Sequence, residues 1–344
     1  MKNLVFTVLS IPFAAALLSC FSCSQGEVPA TAAAIGQMFT GSSEAVLFLG
    51  CKAVSEDEIE FEFSQEVSVK SLKFDPQLDV ISIEDGTTVR VKLDESLGPG
   101  IRIKADILAE DAERNTINVL VPFRTRNNKM PQLVINEINT ENSNPRTEFI
   151  EFKTLTAGNL GGMRVFINGN TNAAQETIYE FLPVNVQADE YIVLHLRTVE
   201  PEAIDEYDDD LTVSGGRNSS PTGRDLWIPG NTKKIHKAAS AVYVMDQDDK
   251  VIDGVMISET PDAWWKKDYF AETADLLYQQ GVWKSPSGKI ATPADSISSS
   301  GHTATRTICR DETIEATNTA NNWYVTVTSG LTPGRTNNEK RFSN

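Results

Sequence analysis

The apolar positions of this chain fall into two stretches of alternation joined by a short polar connection. In the first, Ala45 to Asn127, the residues Ile59, Phe61 and Phe63 alternate with Glu58, Glu60 and Glu62, and Val89, Val91 and Leu93 alternate with Arg90, Lys92 and Asp94. Successive side chains of a strand point to opposite faces, so these segments predict strands with one face on a core and one in water. Asp85-Gly86, Gly98-Pro99-Gly100 and Asp111 to Asn115 interrupt them as turns. Short strands at this spacing predict an antiparallel sandwich.

The second stretch follows a linker at Asn128 to Pro131. Strands are predicted at Leu133 to Ile138, Thr147 to Phe152, Tyr191 to Leu196, Ala241 to Met245, Val251 to Met256 and Trp323 to Thr328. Leu160 to Ile167 reads as a turn running into a strand, Asn168-Gly169 as a hairpin turn, and Asp246 to Asp253 as a second hairpin. Leu331-Thr332-Pro333-Gly334 closes the last strand.

Ahead of both stretches, Lys2 precedes an apolar run from Leu4 to Leu18. The run is shorter than the roughly 20 residues that span a bilayer and reads as a cleavable signal. Leu17-Leu18-Ser19-Cys20 resembles a bacterial lipobox. The resemblance implies a signal peptide over residues 1–19, diacylglycerol on the Cys20 thiol, and acylation of the new amino end. Two or more acyl chains hold a protein firmly on a membrane. Phe21 stands where an Asp would suggest inner-membrane retention, so the resemblance leans toward the outer membrane. An ordinary secretory signal cut among Ser19 to Ser24, or lipidation of Cys23, are the alternatives. Residues 20–43 then form the lipidated cysteine and a tether of small polar residues, with an r.m.s. span of roughly 25 Å.

The order of pieces in residues 44–127 resembles bacterial Ig-like domains. The strand Ile59 to Phe63 runs into Ser64-Gln65-Glu66-Val67, Leu97-Gly98-Pro99-Gly100 stands at a hairpin, and Asp111 to Asn115 carries Arg114 where the family turn has Gly. The resemblance implies a spacer. Residues 132–338 resemble a lamin-tail domain, an Ig-like sandwich, through Val134-Ile135-Asn136-Glu137-Ile138, Glu148-Phe149-Ile150-Glu151, Leu160-Gly161-Gly162 and Tyr191-Ile192-Val193-Leu194. The hairpin Asp246 to Asp253, Thr305-Arg306, and Trp323 with Thr332-Pro333-Gly334 complete the series. Glu200 to Lys237 and Ser258 to Ser300 exceed a compact member of that family and read as insertions. Residues 339–344 are left as a tail.

Length supports two domains, since 344 residues exceed an ordinary sandwich. The fold class expected is therefore all-β, two Ig-like β-sandwich domains with long insertions in the second. Lys plus Arg number 31 against 48 Asp plus Glu, a net charge of −17. Such a surface repels phosphate backbones, which makes nucleic acid an unlikely partner.

With Cys20 lipidated, Cys23, Cys51 and Cys309 allow at most one intrachain bridge. Cys51–Cys309 would join the two domains, and Cys23–Cys51 would pin the tether. No cysteine spacing matches a zinc framework.

Trp264, Trp265, Tyr269 and Phe270, with Lys266 and Lys267 among them, form the candidate binding surface within Pro261 to Trp283, because rings supply contact area at low entropy cost. Asp205, Asp208, Asp209 and Asp210 are the metal candidates, an oxygen-rich run that suits Ca2+ but lacks the spaced ligands and Gly of an EF-hand loop. Arg217, Arg224, Lys233, Lys234 and Lys237 form a local basic zone able to hold a phosphate or glycan. Glu137, Glu148 and Glu151 read as structural or surface carboxylates, since Glu148 and Glu151 face opposite sides of a strand. Asp246, Asp248, Asp249 and Asp253 read as turn residues.

His195, on an apolar strand, reads as a packed imidazole, and no G-x-S-x-G, H-E-x-x-H or P-loop pattern occurs. No catalytic residue is therefore assigned. The function expected is a membrane-anchored envelope lipoprotein, a non-enzymatic binding or scaffold module for a protein or surface polymer. The alternative is a metal-dependent hydrolase, or an accessory subunit of an extracytoplasmic enzyme.

Overall fold

The computed structural model describes residues 45–144, 146–168 and 177–343. Cys20, Cys23, the signal and the whole of the tether lie outside them, as does the turn expected at Asn168-Gly169 beyond Asn168 itself.

The first unit is built from β1 (Phe48–Ala53), β2 (Glu58–Asp75), β3 (Val80–Glu84), β4 (Gly86–Leu93), β5 (Arg102–Glu110) and β6 (Thr116–Arg124), in the order β3-β4-β2-β5-β6 with β1 on β2. As the alternation predicts, Ile59, Phe61, Phe63, Val89, Val91 and Leu93 are buried together with Ile103, Ala105 and Ile107. β2 changes partners along its length, pairing β4 through Glu58–Glu62 and β5 through Ser68–Asp75. Its register shifts at Ser64 to Val67, where a single long strand bends to serve both halves of the sheet.

The Asp111 to Asn115 turn resolves the question raised by Arg114. That residue adopts φ +67°, the left-handed conformation glycine would supply. Asp111 compensates by accepting from Asn115 N at 2.7 Å and Nδ2 at 2.9 Å, and from Gln65 Nε2 at 2.8 Å. The turn is thereby tied to the bend of β2.

The second unit contains β7 (Leu133–Asn139), β8 (Phe149–Thr154), β9 (Gly158–Asn159), β10 (Arg164–Asn168), β11 (Thr177–Glu180), β12 (Asn185–Val186), β13 (Tyr191–His195), β14 (Arg224–Trp227), β15 (Ala239–Met245), β16 (Val251–Ser258), β17 (Ile297–Ser298), β18 (Ile308–Arg310) and β19 (Trp323–Val325). One sheet runs β14-β13-β8-β7-β18-β19 and another β11-β10-β15-β16-β17, with β12 and β9 paired separately. Ile135, Ile150, Phe152 and Ile192 of the first sheet share a core with Val165, Val244, Val255 and Ile257 of the second. The class is all-β.

Several expectations are corrected here. Ser258 to Ser300 is not strand and loop alone, for it holds a helix, α1 (Asp268–Gln279). Phe270, Thr273, Ala274 and Leu277 form its buried face, on the 3- and 4-residue spacing of a helix, packed against β10, β15 and β16. Gly254 of β16 admits it, since a Cβ there would lie 2.8 Å from the Leu277 side chain.

Residues 339–343 are not a loose tail. Phe342 N donates to Val325 O at 2.8 Å, and the Arg306 guanidinium stacks 4.1 Å from the Phe342 ring centroid. Cys51 and Cys309 do not pair, being free and buried, Cys51 in the first core and Cys309 in the β18 sheet of the second unit.

The linker is docked rather than slack. Asn127 Nδ2 donates to the carbonyls of Asn159 and Gly161 at 2.8 and 2.9 Å, Asn159 N donates to Lys129 O at 2.7 Å, and Asn127 and Gln247 exchange two bonds. Arg126 clasps Asp248 with both nitrogens at 2.5 and 2.8 Å, and Arg102 and Arg124 both reach Glu180. Gly100 (φ +66°) packs backbone to backbone on Gly161, and a Cβ on Gly100 would lie 2.4 Å from the Gly161 carbonyl carbon. The turns of the two units therefore interlock.

Candidate functional site

Four places in the second unit gather polar or aromatic chemistry, and burial separates them. The deepest lies between β7 and β8. Glu137 and Glu151 are cross-strand partners, brought opposite each other by a register shift after Ile135. Both are fully buried. Glu137 accepts from the Thr307 hydroxyl at 2.5 Å, the Thr332 hydroxyl at 2.9 Å and Thr332 N at 3.1 Å. Glu151 accepts from Asn136 Nδ2 at 2.8 Å and Gly334 N at 2.6 Å.

Burial pushes the Glu137 carboxyl up to about 7, against the pull of its donors. Burial, then the Glu137 charge beside it, raises Glu151 well above the carboxylate range. Burial and the closeness of the two carboxyls thus favour the protonated form of the pair. Glu137 seats the Leu331 to Gly334 turn, so of the two roles expected, structural or surface, the fold gives it the structural one. Glu148 is buried as well, held by Arg197 Nη2 at 2.5 Å.

The second place confirms the reading of His195 as a packed imidazole. It is 1% exposed, stacks on Trp227 at 3.7 Å between ring centroids, and meets Asp225 Oδ1 through Nε2 at 2.8 Å. Asp225 also accepts from Ser220 N at 2.6 Å, and its own N–H goes to Glu206 at 2.8 Å. The network fixes the Glu200 to Lys237 insertion, which contributes β14, against β13.

The third is the acidic run. Asp205 is engaged by Trp227 N at 2.6 Å and the Tyr207 hydroxyl at 2.7 Å, and Asp210 by Thr212 at 3.0 and 2.6 Å. Asp208 presents its backbone carbonyl to Arg224, and Asp209 is exposed. The fold engages only the Asp205 and Asp210 carboxylates in these bonds and does not converge the four. Among the described residues no group of three or more His, Cys, Asp or Glu is placed to hold a metal ion.

Asp253 also departs from expectation. Instead of shaping its hairpin, it is buried and bonds Ile135 N at 2.7 Å and Arg310 Nη2 at 2.6 Å, joining the two sheets. Asp246 and Asp249 do shape that turn, Asp246 by accepting from Asp248 N and Lys250 N, Asp249 by φ +61°.

The fourth place is the loop between β16 and α1. The four aromatic candidates part company here. Phe270 is 4% exposed in the α1 interface, Tyr269 is half-buried beside it at 4.6 Å, and Trp265 is half-buried with Nε1 donating to Ala291 O at 3.0 Å. Trp264 alone of the four is open, at 73% exposure. A helix at this position accounts for the burial, because its inward face takes Phe270 and leaves the preceding loop outside.

The basic zone divides too. Arg224 is buried against Glu190 at 2.7 Å and Arg217 pairs with Glu200 at 3.0 Å, whereas Lys233 pairs with Glu141 at 3.2 Å and Lys234 donates to the Leu196 and Thr232 carbonyls. Lys237 pairs with Glu259 at 3.0 Å and Glu259 N donates to Ala238 O at 3.1 Å, which joins residues 229–238 and 259–267 at that point.

A family model described as a protein second domain matches residues 131–325. The match opens two residues before β7 and ends on the last residue of β19. An uncharacterized protein of Treponema pallidum (strain Nichols) is 27% identical over 191 residues, which are 52% of this chain and 46% of that protein. The chain thus matches less than half the length of that relative.

Proposed function

The chain belongs to the family defined by the second domain of an uncharacterized Treponema protein, and from that premise we propose a membrane-anchored envelope lipoprotein whose second unit is a non-enzymatic binding module. In this reading the first unit is an Ig-like spacer, the second is lamin-tail-like, and Cys20 carries the lipid. The observation that carries the proposal is Trp264, a fully presented indole on a loop whose neighbours Trp265 and Phe270 are fixed. Exposing so large an apolar side chain forgoes about 1.5–3 kcal/mol of burial, which a contact surface recovers on binding.

The placement agrees. The chain enters the first unit at Leu47, bonded to Ser64, whose neighbour Gln65 reaches the Asp111 turn at the end of β5 away from Arg102 and the junction. The Trp264 loop follows the end of β16 away from the Asp248 hairpin, which is at the junction.

The test is retention of envelope extract on the immobilised chain from Ser24, beside Trp264→Ala and, as a control at another exposed apolar position, Leu155→Ala. Material lost with Trp264→Ala and kept with Leu155→Ala supports the reading. Equal retention by all three baits refutes it.

A further inference from the structure

We propose that the outer edge of β19 is a docking site for an extended segment of another polypeptide that carries an arginine followed by an aromatic residue, and that residues 340–342 of this chain occupy it in cis as a displaceable cover. None of its residues belongs to the Trp264 loop, so the two surfaces stand or fall separately. The main chain carries the argument first. β19 ends its sheet, with β18 on one side. On the other, Phe342 N donates to Val325 O at 2.8 Å and Val327 N to Lys340 O at 3.1 Å, with Thr326 and Arg341 as antiparallel partners. Residues 340–342 therefore lie as an added strand. Without them that carbonyl and that N–H stand open, the template on which another strand pairs.

Two side-chain seats, one on each face as neighbouring strand residues require, give the added strand its identity. The Arg341 guanidinium stacks 4.6 Å from the Tyr324 ring centroid and pairs with Asp311. Arg341 is the one ion-pair partner of Asp311 among the described residues, whereas Glu312 beside it is taken by Lys153 at 2.7 Å. A cavity of about 200 Å3 remains between Arg341, Glu312, Tyr324 and Thr336, so the cis arginine does not fill its seat. Phe342 lies on Gly301, where any side chain would collide with its ring, and under the Arg306 guanidinium at 4.1 Å.

Both seats are held by bonds that do not involve the tail. Arg306 donates to Thr328 Oγ1 at 3.0 Å and Gly301 O at 3.3 Å, and Asp311 accepts from Thr313 N at 3.0 Å and its hydroxyl at 2.6 Å. Such preorganisation favours an incoming strand. Attachment of the cis strand falls off at its root. Asn337 is buried, with N donating to Glu312 at 2.8 Å and Nδ2 to Arg310 O at 2.9 Å. Beyond it Glu339, Lys340 and Arg341 are exposed and Phe342 is half-buried. A chain end with so few buried contacts opens without unfolding the core.

The experiment uses the chain from Ser24 as Arg341→Ala/Phe342→Ala, which vacates both seats and leaves the receptor residues intact, with a labelled peptide of the sequence of residues 338–344 as probe. Binding at least about tenfold tighter than to the unaltered chain is expected, because a closed cis strand reduces apparent affinity by the fraction of sites it covers. Arg341→Ala in the peptide, or Asp311→Asn in the chain, should weaken it at least about tenfold, and Arg341→Lys in the peptide several-fold. A cooperative thermal transition shows that each variant folds. In the unaltered chain, the Val327 and Phe342 amides should exchange hydrogen at least about tenfold faster than the Asn337 amide.

No binding by the folded double variant, equal binding to the unaltered chain, or indifference to Asp311→Asn overturns the proposal. So does exchange of Val327 and Phe342 in step with Asn337, a result that decides the matter should the double variant not fold. Concentration-dependent dimers of the unaltered chain, abolished by Arg341→Ala, overturn it in favour of a second copy as the occupant.

Discussion

Glu137 and Glu151 face each other across β7 and β8, and both carboxyls are fully buried. The arrangement makes stability depend on pH in a stated direction. Glu137 is raised from the unfolded 4.5 to about 7, so the folded chain binds more protons than the unfolded chain between those values. Its contribution is complete below about 4.5 and is lost as pH rises through about 7. Glu137→Gln keeps an acceptor for Thr332 N and cannot ionise. Denaturant midpoints measured from pH 4.5 to 7.5 should therefore fall less steeply in the variant, and an unchanged slope would contradict the assignment.

At the junction, Gly100→Ala places a methyl 2.4 Å from the Gly161 backbone and strains a residue at φ +66°. Separation of the two turns relieves the clash without unfolding either core. The expected result is faster proteolysis after Lys129, with a loss of roughly 1–3 kcal/mol on overpacking grounds. Unaltered cleavage would mean that the interlock is not what holds the linker.

Arg114 adopts the left-handed conformation that costs an L-residue about 1–2 kcal/mol. Arg114→Gly removes that strain and adds unfolded-state entropy, leaving a net gain of up to about 1 kcal/mol. A lower melting temperature in the variant would show that the arginine side chain contributes more than its backbone costs.

Phe270 and Trp264 should separate stability from binding. Phe270→Ala opens a cavity under α1 and is expected to cost about 3–5 kcal/mol, whereas Trp264→Ala should stay within about 0.5 kcal/mol. Denaturation curves for the two variants check this. Similar losses would place Trp264 in the core.

Asp253 joins Ile135 N and Arg310 beneath both sheets. Asp253→Ala leaves Arg310 buried without its counter-ion and should cost about 3–5 kcal/mol. Replacing both, as Asp253→Leu with Arg310→Met, should recover much of that loss. A double variant no better than the single one would point to a role other than charge pairing.

The alternation of Ile59, Phe61 and Phe63 with glutamates, and of Val89 and Val91 with charges, was enough to place those strands and their buried faces, because a period of two has one solution at a water boundary. Turn residues were equally legible: Gly100 and Asp249 act through their own positive φ, and Asp246 through a carboxylate that accepts from its own turn. The same local logic found Trp264, an aromatic in an insertion.

What depends on distant partners was not legible. The sequence holds Glu137 and Glu151 fourteen residues apart and Thr332 nearly two hundred away, and only a register shift in β7 aligns the first two under the third. The expected aromatic cluster divided because α1, docked over Gly254 through Leu277, turned Phe270 inward and left Trp264 outside. Local pattern determined the strands, turns and candidate residues of this protein. Register, helix docking and the packing of Gly100 on Gly161 decided which are buried and which are presented, because those are set by contacts that no short window of sequence contains.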